Sequence, residues 1–434
     1  MLRAEQAEWS QAPEILARIQ APVFPAHDFV ITNYGAVADG KTDCTDAIRK
    51  AIDACAKCGG RVVVPPGEFL TGPVHLQSGV NLHLNTNAVL KFNTDPKACL
   101  PAVFTRFEGI ECYNYSPLIY AFEQKNVAVT GAGTLDGQAT EENWLRWKGR
   151  KDASTNTQKV ANGRLKKMAE EGVPVEQRRF GEGDYLRPSF IQFYRCRNVM
   201  VEGVRIRRSP MWEIHPVLCT NVIVRGVEIV SRGANNDGCD PESCRDVLIE
   251  NCLFDTGDDC IAIKSGRNAD GRRVGVPSVN LIIRGCTMRD GHGGVTIGSE
   301  ISGSCSNVFV ANCEMSSPRL NCALRLKSNA VRGGVIQNIF MRNVNVGRVA
   351  DSVLQIDFLY EEGTNGIYRP VARNVEMENI AVDHTPRVLN VRGFPGAEIS
   401  NVRIYNSTFK QVAKPDVVQD ADVKLVNCSL EPAK

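Results

Sequence analysis

Apolar residues recur along this chain in a short frame that is repeated ten times. Each copy begins at Asn or Asp, and the residues one and three places further on are aliphatic or Met, as Val199 and Val201 are after Asn198. The copies begin at Asn126, Asn198, Asn221, Asp246, Asn280, Asn307, Asn338, Asn374, Asn401 and Asp422. Because alternate residues of a β-strand face the same side, the frame predicts a short strand with one buried face in every copy.

Each predicted strand ends in a bend and is followed by a second strand. Five residues after its start every copy has Gly or Asn, such as Gly203 and Asn251, and these residues adopt a left-handed backbone at low cost. Eight residues after the start an apolar residue returns in nine of the ten copies. Some neighbouring copies are 23, 25 or 27 residues apart and others more, which is typical of a solenoid with insertions at its corners. The pattern predicts an all-β fold, a right-handed parallel β-helix.

A helical pattern precedes the repeats. Within residues 43–60 the apolar side chains are spaced for one face of a helix, and Gly59 and Gly60 follow as stop signals. The apolar residues of that face are Ala47, Ile48, Ala51, Ile52 and Cys55. We expect this helix to cap the open end of the solenoid, where unpaired strand edges would invite aggregation. The expected organisation is an N-terminal extension (1–27) and one β-helix domain (28–434), with a charged, partly helical insertion at about 139–187.

Composition narrows the classes of partner. The chain has 434 residues with 51 basic and 49 acidic side chains, so a net charge of +2 gives no global field for nucleic acid or a membrane surface. No apolar run is long enough to span a membrane, and the first twenty residues lack the layout of a secretory signal. Eight of the sixteen cysteines fall at two fixed places in the frame, so we expect ladders of buried thiols rather than disulfides or metal sites.

The chemistry is concentrated in residues 235–264, which contain eight carboxylates. Asp237 and Asp258 are 21 residues apart, close to one coil, and a bend at Gly257 would let Asp258 and Asp259 share their patch. A spacing of 33 separates Asp259 from His292, and the same spacing separates His292 from Arg325. We therefore expect a column of acids, an imidazole and two cations, Arg325 and Lys327, on one side of the solenoid.

Such a column suits hydrolysis of an acidic polysaccharide. One carboxylic acid would protonate the glycosidic oxygen and another carboxylate would activate water, because crowding of like charges separates their pKa values. Arg325 and Lys327 would bind a uronate carboxylate. Spacing alone leaves open that the three acids form Asx-turns, that His292 is an ordinary loop residue and that the two cations are solvated. The remaining acids are interpreted as corner and surface residues: Asp240, Glu242, Asp246, Glu250 and Asp255.

Four short motifs, in order, give a family resemblance. The sequences Asn235-Asn236-Asp237, Gly257-Asp258-Asp259, Gly291-His292-Gly293 and Arg325-Leu326-Lys327, with YGAVADGKTDCTDAI at 34–48, resemble glycoside hydrolase family 28, the polygalacturonases. The resemblance covers roughly residues 28 to 430. It departs from the family at Asn236, where Thr is usual.

The resemblance implies inverting hydrolysis of α-1,4 linkages between galacturonic acids. Carried over, Asp258 would be the general acid, Asp237 and Asp259 would position and deprotonate water, and His292 would keep the acid in its working state. Substrate would be held by Asn235, Arg325, Lys327 and Tyr360, and Trp212 and His215, about one coil before Asp237, would line an adjacent subsite or belong to the core. An inverting enzyme would separate its carboxylates by roughly 6.5–9.5 Å.

Within the family, HGGVTIGSEISG and the 139–187 insertion look most like bacterial exo-acting members, since an insertion can block one end of a groove. A rhamnogalacturonan-cleaving hydrolase, a non-catalytic β-helix that binds polysaccharide and a calcium-dependent pectate lyase stay open as alternatives. We expect no metal or other cofactor, an acidic polysaccharide or oligogalacturonide as substrate, a monomer, and a periplasmic or secreted location.

Overall fold

The computed structural model describes residues 9–149 and 157–433. Contacts group the chain into two compact units. We call Gln20–Asn236 the first unit, and Met1–Ile19 together with Asp237–Lys434 the second unit. The predicted division into an extension and one domain stays a prediction.

The first unit consists of coils whose strands stack in three parallel ladders. The first ladder contains β1 (Asp28–Val30), β3 (Gly60–Val64), β6 (Val80–Leu84), β11 (Lys125–Gly131), β14 (Arg197–Glu202) and β17 (Thr220–Arg225). The second contains β2 (Asp39–Asp43), β4 (Gly67–Thr71), β7 (Ala88–Phe92), β12 (Thr134–Asp136), β15 (Arg205–Arg207) and β18 (Glu228–Ser231). The third contains β5 (Val74–His75), β10 (Ile119–Phe122), β13 (Ile191–Tyr194) and β16 (Ile214–Val217).

The second unit repeats this arrangement. Its first ladder contains β19 (Arg245–Glu250), β22 (Ser278–Arg284), β25 (Cys305–Ala311), β28 (Val335–Arg348), β30 (Val371–His384), β32 (Glu398–Tyr405) and β35 (Val423–Val426). Its second contains β20 (Leu253–Thr256), β23 (Thr287–Asp290), β26 (Glu314–Ser316), the ends of β28 and β30, β33 (Thr408–Val412) and β36 (Ser429–Pro432). Its third contains β21 (Ile261–Ile263), β24 (Gly293–Ile297), β27 (Cys322–Lys327), β29 (Ser352–Asp357), β31 (Arg387–Arg392) and β34 (Val417–Gln419). The predicted all-β fold, a right-handed parallel β-helix, is confirmed.

The repeated frame marks both bends of its strand. The predicted bend has a left-handed backbone, with φ of 76° at Gly203 and 55° at Asn251. The starting Asn is also left-handed, with φ of 60° at Asn307, and its side chain joins an asparagine ladder that the sequence analysis did not predict. Asn307 Nδ2 donates to Asn280 Oδ1 at 3.0 Å, and Asn338 Nδ2 donates to Asn307 Oδ1 at 2.9 Å. The Asn at the start of each copy therefore both turns the chain and hydrogen-bonds to the next coil.

Four α-helices of the described residues lie outside the ladders. Helix α2 (Thr45–Cys55) buries all five apolar residues of its predicted face and packs against β1, β3 and β5, at the end of the first unit where the ladders begin. The capping helix is therefore confirmed. Helix α1 (Gln11–Arg18) packs against β19 and β22, and helix α4 (Asn268–Val274) follows β21.

The charged insertion is partly helical, as predicted, within its described residues 139–149 and 157–187. Helix α3 (Gln158–Glu170) packs against the antiparallel hairpin of β8 (Val103–Phe107) and β9 (Ile110–Asn114). Leu165 of the helix, Phe107 of the hairpin and Trp212 belong to one buried apolar cluster. The helix is thus anchored by hydrophobic contacts within the first unit.

The cysteines behave as small apolar residues. All sixteen are free thiols, and fourteen of them are buried. The thiol of Cys286 lies between those of Cys252 and Cys313, and the backbone N–H of Cys196 donates to Cys219 Sγ at 3.4 Å. These contacts confirm the predicted stacking of thiols. Among the described residues no helix is long and apolar enough to cross a membrane.

Candidate active site

The third ladder of the second unit carries most of the predicted site residues. Its register aligns Thr296 with Arg325, and Lys327 follows two places on, so both cations point to the same side as the sequence predicts. The chain bends at Gly257 and Asp258, immediately before this ladder begins. The N–H of Gly238 donates to the carbonyl of Asp259 at 3.0 Å, which brings Asp237 beside Asp259. Stacking of adjacent coils therefore assembles the acids that the sequence places one coil apart.

Three carboxylates form the centre of this site. One oxygen each from Asp237, Asp258 and Asp259 lies within 4.8 Å of the other two. The side chain of Asp258 is 21% exposed, whereas those of Asp237 and Asp259 are 4% and 1% exposed. Asp258 is thus the member of the group that is open to solvent, and the other two are held beneath it.

His292 forms an ion pair with Asp258. Its Nδ1 lies 2.9 Å from Asp258 Oδ1, and half of the imidazole is exposed. Burial alone would raise the pKa of Asp258, but the hydrogen bond and charge of His292, with the charges of Lys327 and Lys264, lower it to about 2. The hydrogen bond to Asp258 raises the pKa of His292 in turn. In the free protein the proton of this pair therefore resides on His292.

Asp237 has the opposite ionisation. Burial, followed by the negative charges of Asp258 and Asp240, raises the pKa of Asp237 well above its ordinary value. Asp237 Oδ1 makes no hydrogen bond to the described residues. Asp237 is therefore the carboxyl that holds a proton, while its neighbour Asp258 is ionised.

Asp259 is paired with both cations of the predicted column. Lys327 Nζ donates to Asp259 Oδ2 at 2.8 Å, and Arg325 Nη1 lies 3.7 Å from Asp259 Oδ1. Arg325 is oriented by a hydrogen bond from its Nε to Gln355 Oε1 at 2.7 Å. The ring of Tyr360 lies 5.4 Å from Lys327 Nζ and 5.9 Å from the guanidinium of Arg325. The structure thus brings Arg325, Lys327 and Tyr360 together at the acids.

Trp212 and His215 do not line an open subsite. Trp212 is 3% exposed and packs in the apolar cluster with helix α3 and the β8–β9 hairpin. His215 is fully buried, and its Nδ1 is 3.0 Å from Gln192 Nε2. Their contact with substrate stays a prediction, and the apolar cluster gives Trp212 the core role that the sequence left open.

Asn235 is half-buried in the first unit and is oriented by Arg187, whose Nη2 donates to Asn235 Oδ1 at 2.8 Å. Its contact with substrate stays a prediction.

Four of the five acids that we interpreted as corner and surface residues are buried instead. Asp240 and Glu242 are completely buried, and Asp240 Oδ1 lies 3.5 Å from Lys264 Nζ. Asp246 begins the asparagine ladder of the second unit by accepting from Asn280, and Glu250 accepts from Arg284. Paired cations and amides allow these acids to be buried, and sequence position alone does not reveal those partners.

A buried group of charges beneath the acids was not predicted from the sequence. Lys264 Nζ lies 3.2 Å from Glu300 Oε2 and 3.9 Å from Asp237 Oδ2. Glu300 in turn accepts from Arg267 Nη1 at 3.1 Å. Lys264 and Glu300 are 36 residues apart; Lys264 directly follows β21, and Glu300 is three residues beyond the stacked strand β24. A spacing of one coil plus a loop was the only feature of the sequence that could have predicted this contact between Lys264 and Glu300.

The arrangement favours acid–base chemistry over cation binding. Three carboxylates at this separation could hold a cation, but Lys327, Lys264 and His292 already lie against them. Their separation is also shorter than the 6.5–9.5 Å that we expected from inverting enzymes in general. A water that donates hydrogen bonds of about 2.8 Å to two oxygens at a tetrahedral angle would set those oxygens about 4.6 Å apart, so the space suits one bridging water.

Comparison with known proteins shows what the chain resembles. A family model described as "Glycosyl hydrolases family 28" matches residues 179–393, and another described as "Rhamnogalacturonase A/epimerase, pectate lyase-like" matches residues 29–98. The solved structure of an exopolygalacturonase from Thermotoga maritima is 45% identical, with a TM-score of 0.94, and the match covers 97% of this chain and 96% of that one.

Curated relatives agree with this match. A protein named "Probable polygalacturonase" from Vitis vinifera is 27% identical over 406 residues, 90% of this chain and 75% of the relative. An "Exo-poly-alpha-D-galacturonosidase" from Dickeya chrysanthemi is 27% identical over 398 residues, 87% of this chain and 62% of the relative.

Proposed function

The chain belongs to glycoside hydrolase family 28, and from this premise we propose that it hydrolyses the α-1,4 linkages of polygalacturonate and releases residues from the chain end. The observation that carries the proposal is the group of three carboxylates within 4.8 Å of one another, flanked by an imidazole and two cations. The similarity to exo-acting proteins from Thermotoga maritima and Dickeya chrysanthemi supports attack from the chain end.

In this proposal Asp258 protonates the glycosidic oxygen. It is the most exposed of the three acids, so it can reach a bound polymer. A carboxyl with a pKa of about 2 must first receive a proton, and Asp237, which holds one, has an oxygen within 4.8 Å. Transfer of that proton to Asp258 makes Asp258 the acid and leaves Asp237 as a carboxylate. Transfer of one shared proton thus gives both Asp258 and Asp237 the ionisation states that the reaction needs.

Water activation falls to Asp237 and Asp259. Lys327, 2.8 Å from Asp259 Oδ2, supplies the counter-charge for that carboxylate. A water held between the two carboxylates would lose a proton as it attacks the anomeric carbon, while the leaving oxygen takes the proton of Asp258. The general acid and the attacking water would then lie on opposite sides of the scissile bond, so the configuration would invert.

The two cations select a uronic acid at the cleaved position. Lys327 is largely buried against Asp259, whereas Arg325 is more exposed and keeps guanidinium nitrogens beyond its bond to Gln355. A substrate carboxylate would therefore pair mainly with Arg325. Neutral polysaccharides have no carboxylate for this pairing and would bind more weakly.

The proposal is tested by assaying purified protein for new reducing ends on polygalacturonate, with and without EDTA. We expect equal activity in both, and an Asp258→Asn variant prepared in parallel should be inactive. Activity that EDTA abolishes and calcium restores, with an unsaturated product absorbing in the ultraviolet, would assign a lyase instead. Cleavage of rhamnogalacturonan without cleavage of polygalacturonate would assign the related specificity.

We also propose that the protein acts as a monomer in the periplasm or outside the cell, where the polymer is accessible. Light scattering of the purified protein and fractionation of the source cells test these two points. A dimer in solution, or activity confined to the cytoplasmic fraction, would contradict them.

A further inference from the structure

Lys264 is a buried cation that the proposed mechanism does not use. Its side chain is 4% exposed, so it cannot contact a polymer lying on the surface. Its ammonium is 3.9 Å from Asp237 Oδ2, 3.5 Å from Asp240 Oδ1 and 3.2 Å from Glu300 Oε2. A lysine is rarely buried unless carboxylates hold it, and here one of those carboxylates is a proposed catalytic group.

We propose that Lys264 is a positioning residue that holds Asp237 in place and stabilises its carboxylate form during catalysis. This inference rests on the proposed function, since it assigns Lys264 a role through Asp237 in the same reaction. Burial and negative neighbours oppose ionisation of Asp237, so transfer of its proton to Asp258 leaves a buried charge. Lys264 supplies the nearby positive charge that lowers the free-energy cost of this transfer.

The ammonium of Lys264 is itself held in place by Glu300. Glu300 Oε2 accepts from Lys264, and Glu300 Oε1 accepts from Arg267 Nη1 at 3.1 Å and lies 3.9 Å from Arg332 Nη1. Burial would raise the pKa of Glu300, but Lys264, Arg332 and Arg267 lower it well below its ordinary value. An ionised Glu300 keeps Lys264 charged and oriented.

The same group of charges reaches the loop that carries Tyr360. Arg267 Nη2 donates to Glu361 Oε2 at 2.9 Å and lies 3.4 Å from Glu362 Oε1. The acids beside Lys264 and the loop beside Lys327 are therefore supported by one connected set of ion pairs. A residue within that set can affect the reaction without contacting substrate.

Any pH effect of Lys264 depends on every charge around it. Besides Asp237, Asp240 and Glu300, the charges that act on Lys264 and Asp237 come from the loop after β20 and from β27. They are Asp258, Asp259 and Lys327. The ammonium of Lys264 has Asp237, Asp240 and Glu300 all within 4 Å. Its removal should therefore have the largest effect on the ionisation of Asp237.

The test compares pH–rate profiles of wild type, Lys264→Met and Lys264→Arg on polygalacturonate. Loss of the positive charge should raise the pKa of Asp237, so the alkaline limb of kcat/KM, where the shared proton is lost, should move up by about 1 to 3 pH units in Lys264→Met. At a pH below that limb kcat should fall at least about tenfold, while KM should change less than about threefold because Lys264 does not contact substrate. Lys264→Arg keeps the charge and should restore most of the wild-type limb.

The matched control is Arg332→Met, which removes another buried cation that faces Glu300 but does not contact Asp237. Its alkaline limb should stay within about 0.3 pH units of wild type, whatever its thermal stability, because no cation near Asp237 is lost. If Lys264→Met does not fold, Lys264→Met in an Asp240→Asn background is compared with Asp240→Asn alone, and the same upward shift is expected.

Three results separate the two proposals. A wild-type protein without activity on polygalacturonate would contradict the proposed function itself. An active wild type with an unshifted alkaline limb in folded Lys264→Met would overturn only the role of Lys264. A variant that raises KM at unchanged kcat would overturn it as well, since that result indicates substrate binding.

Discussion

At the residue scale, the three acids should respond differently to loss of charge. Asp237 and Asp259 are buried, whereas Asp258 is partly exposed. Asn at any of the three positions should lower kcat by several orders of magnitude, since each has a chemical role. Asp259→Asn should also destabilise the fold by about 3–5 kcal/mol, because it leaves Lys327 buried without its counter-ion.

In Asp237→Asn an amide replaces a carboxyl that is already neutral, so its thermal stability should stay near that of wild type. Thermal unfolding followed by circular dichroism, alongside kcat, checks both expectations. Equal loss of stability in all three variants would favour a structural role for the acids.

The ion pair of Asp258 and His292 predicts a window of pH-dependent stability. The pKa of Asp258 is lowered in the folded state, so its contribution is present above about pH 3.9 and is lost as pH falls through about 2. The pKa of His292 is raised, so its contribution is complete below about pH 6.5 and is lost as pH rises through the folded value. The Tm difference between wild type and His292→Gln should therefore be greatest between about pH 4 and 6.5. A difference that persists unchanged at pH 9 would contradict the pairing.

The two cations should divide binding and chemistry between them. Arg325→Gln should mainly raise KM for polygalacturonate, because Arg325 is the more exposed charge. Lys327→Gln should mainly lower kcat, because its ammonium is 2.8 Å from Asp259 Oδ2. Initial-rate kinetics of the two variants under the same conditions measures the division. Similar changes of kcat and KM in both variants would contradict it.

At the scale of single elements, the asparagine ladder predicts an order of stabilities. Asn307→Gly keeps the left-handed backbone but loses two side-chain hydrogen bonds, at about 1 kcal/mol each. Asn307→Ala loses the same bonds and adds about 1–2 kcal/mol for a left-handed backbone. Tm should therefore fall from wild type to Gly and again from Gly to Ala. Equal Tm values for Gly and Ala would show that the backbone conformation contributes nothing.

The same elements explain which coils the sequence pattern did not detect. The first coils of the first unit have Gly59 and Gly79 where later copies have Asn, with φ of 76° and 77°. Glycine allows the left-handed backbone but cannot join a ladder of amides. A search for Asn at the start of each copy therefore begins at least two coils too late.

At the scale of the whole molecule, the function predicts the stereochemistry and order of products. A bridging water that attacks opposite the leaving group should give the β anomer first from an α-linked chain. Attack from the chain end should release monomeric galacturonic acid from the earliest time points, while viscosity falls slowly. Proton NMR of the nascent product and chromatography of early samples measure these outcomes. A nascent α anomer would contradict the water-activating roles of Asp237 and Asp259, and an early series of oligomers would contradict attack from the chain end.

The sequence by itself determined the β-helix, its capping helix and the composition of the central site. Strand period and left-handed Gly or Asn positions are local properties of the backbone, so a repeat such as Asn198-Val199 can be recognised without coordinates. Spacings of one coil also bring Asp237 to Asp259, and His292 to Asp258, because coils stack in register.

Only the tertiary structure decided which groups are buried, paired and protonated. Trp212 precedes Asp237 in the sequence by about one coil, but it packs in an apolar cluster with the hairpin and helix α3, which come from distant segments. Lys264 and Glu300 form an ion pair next to Asp237 only in the folded chain, and their proposed roles depend on that contact. Solvation and electrostatic energy are sums over every neighbour of a group, and those neighbours come from several coils and loops, so the pKa of an acid is a property of the folded assembly.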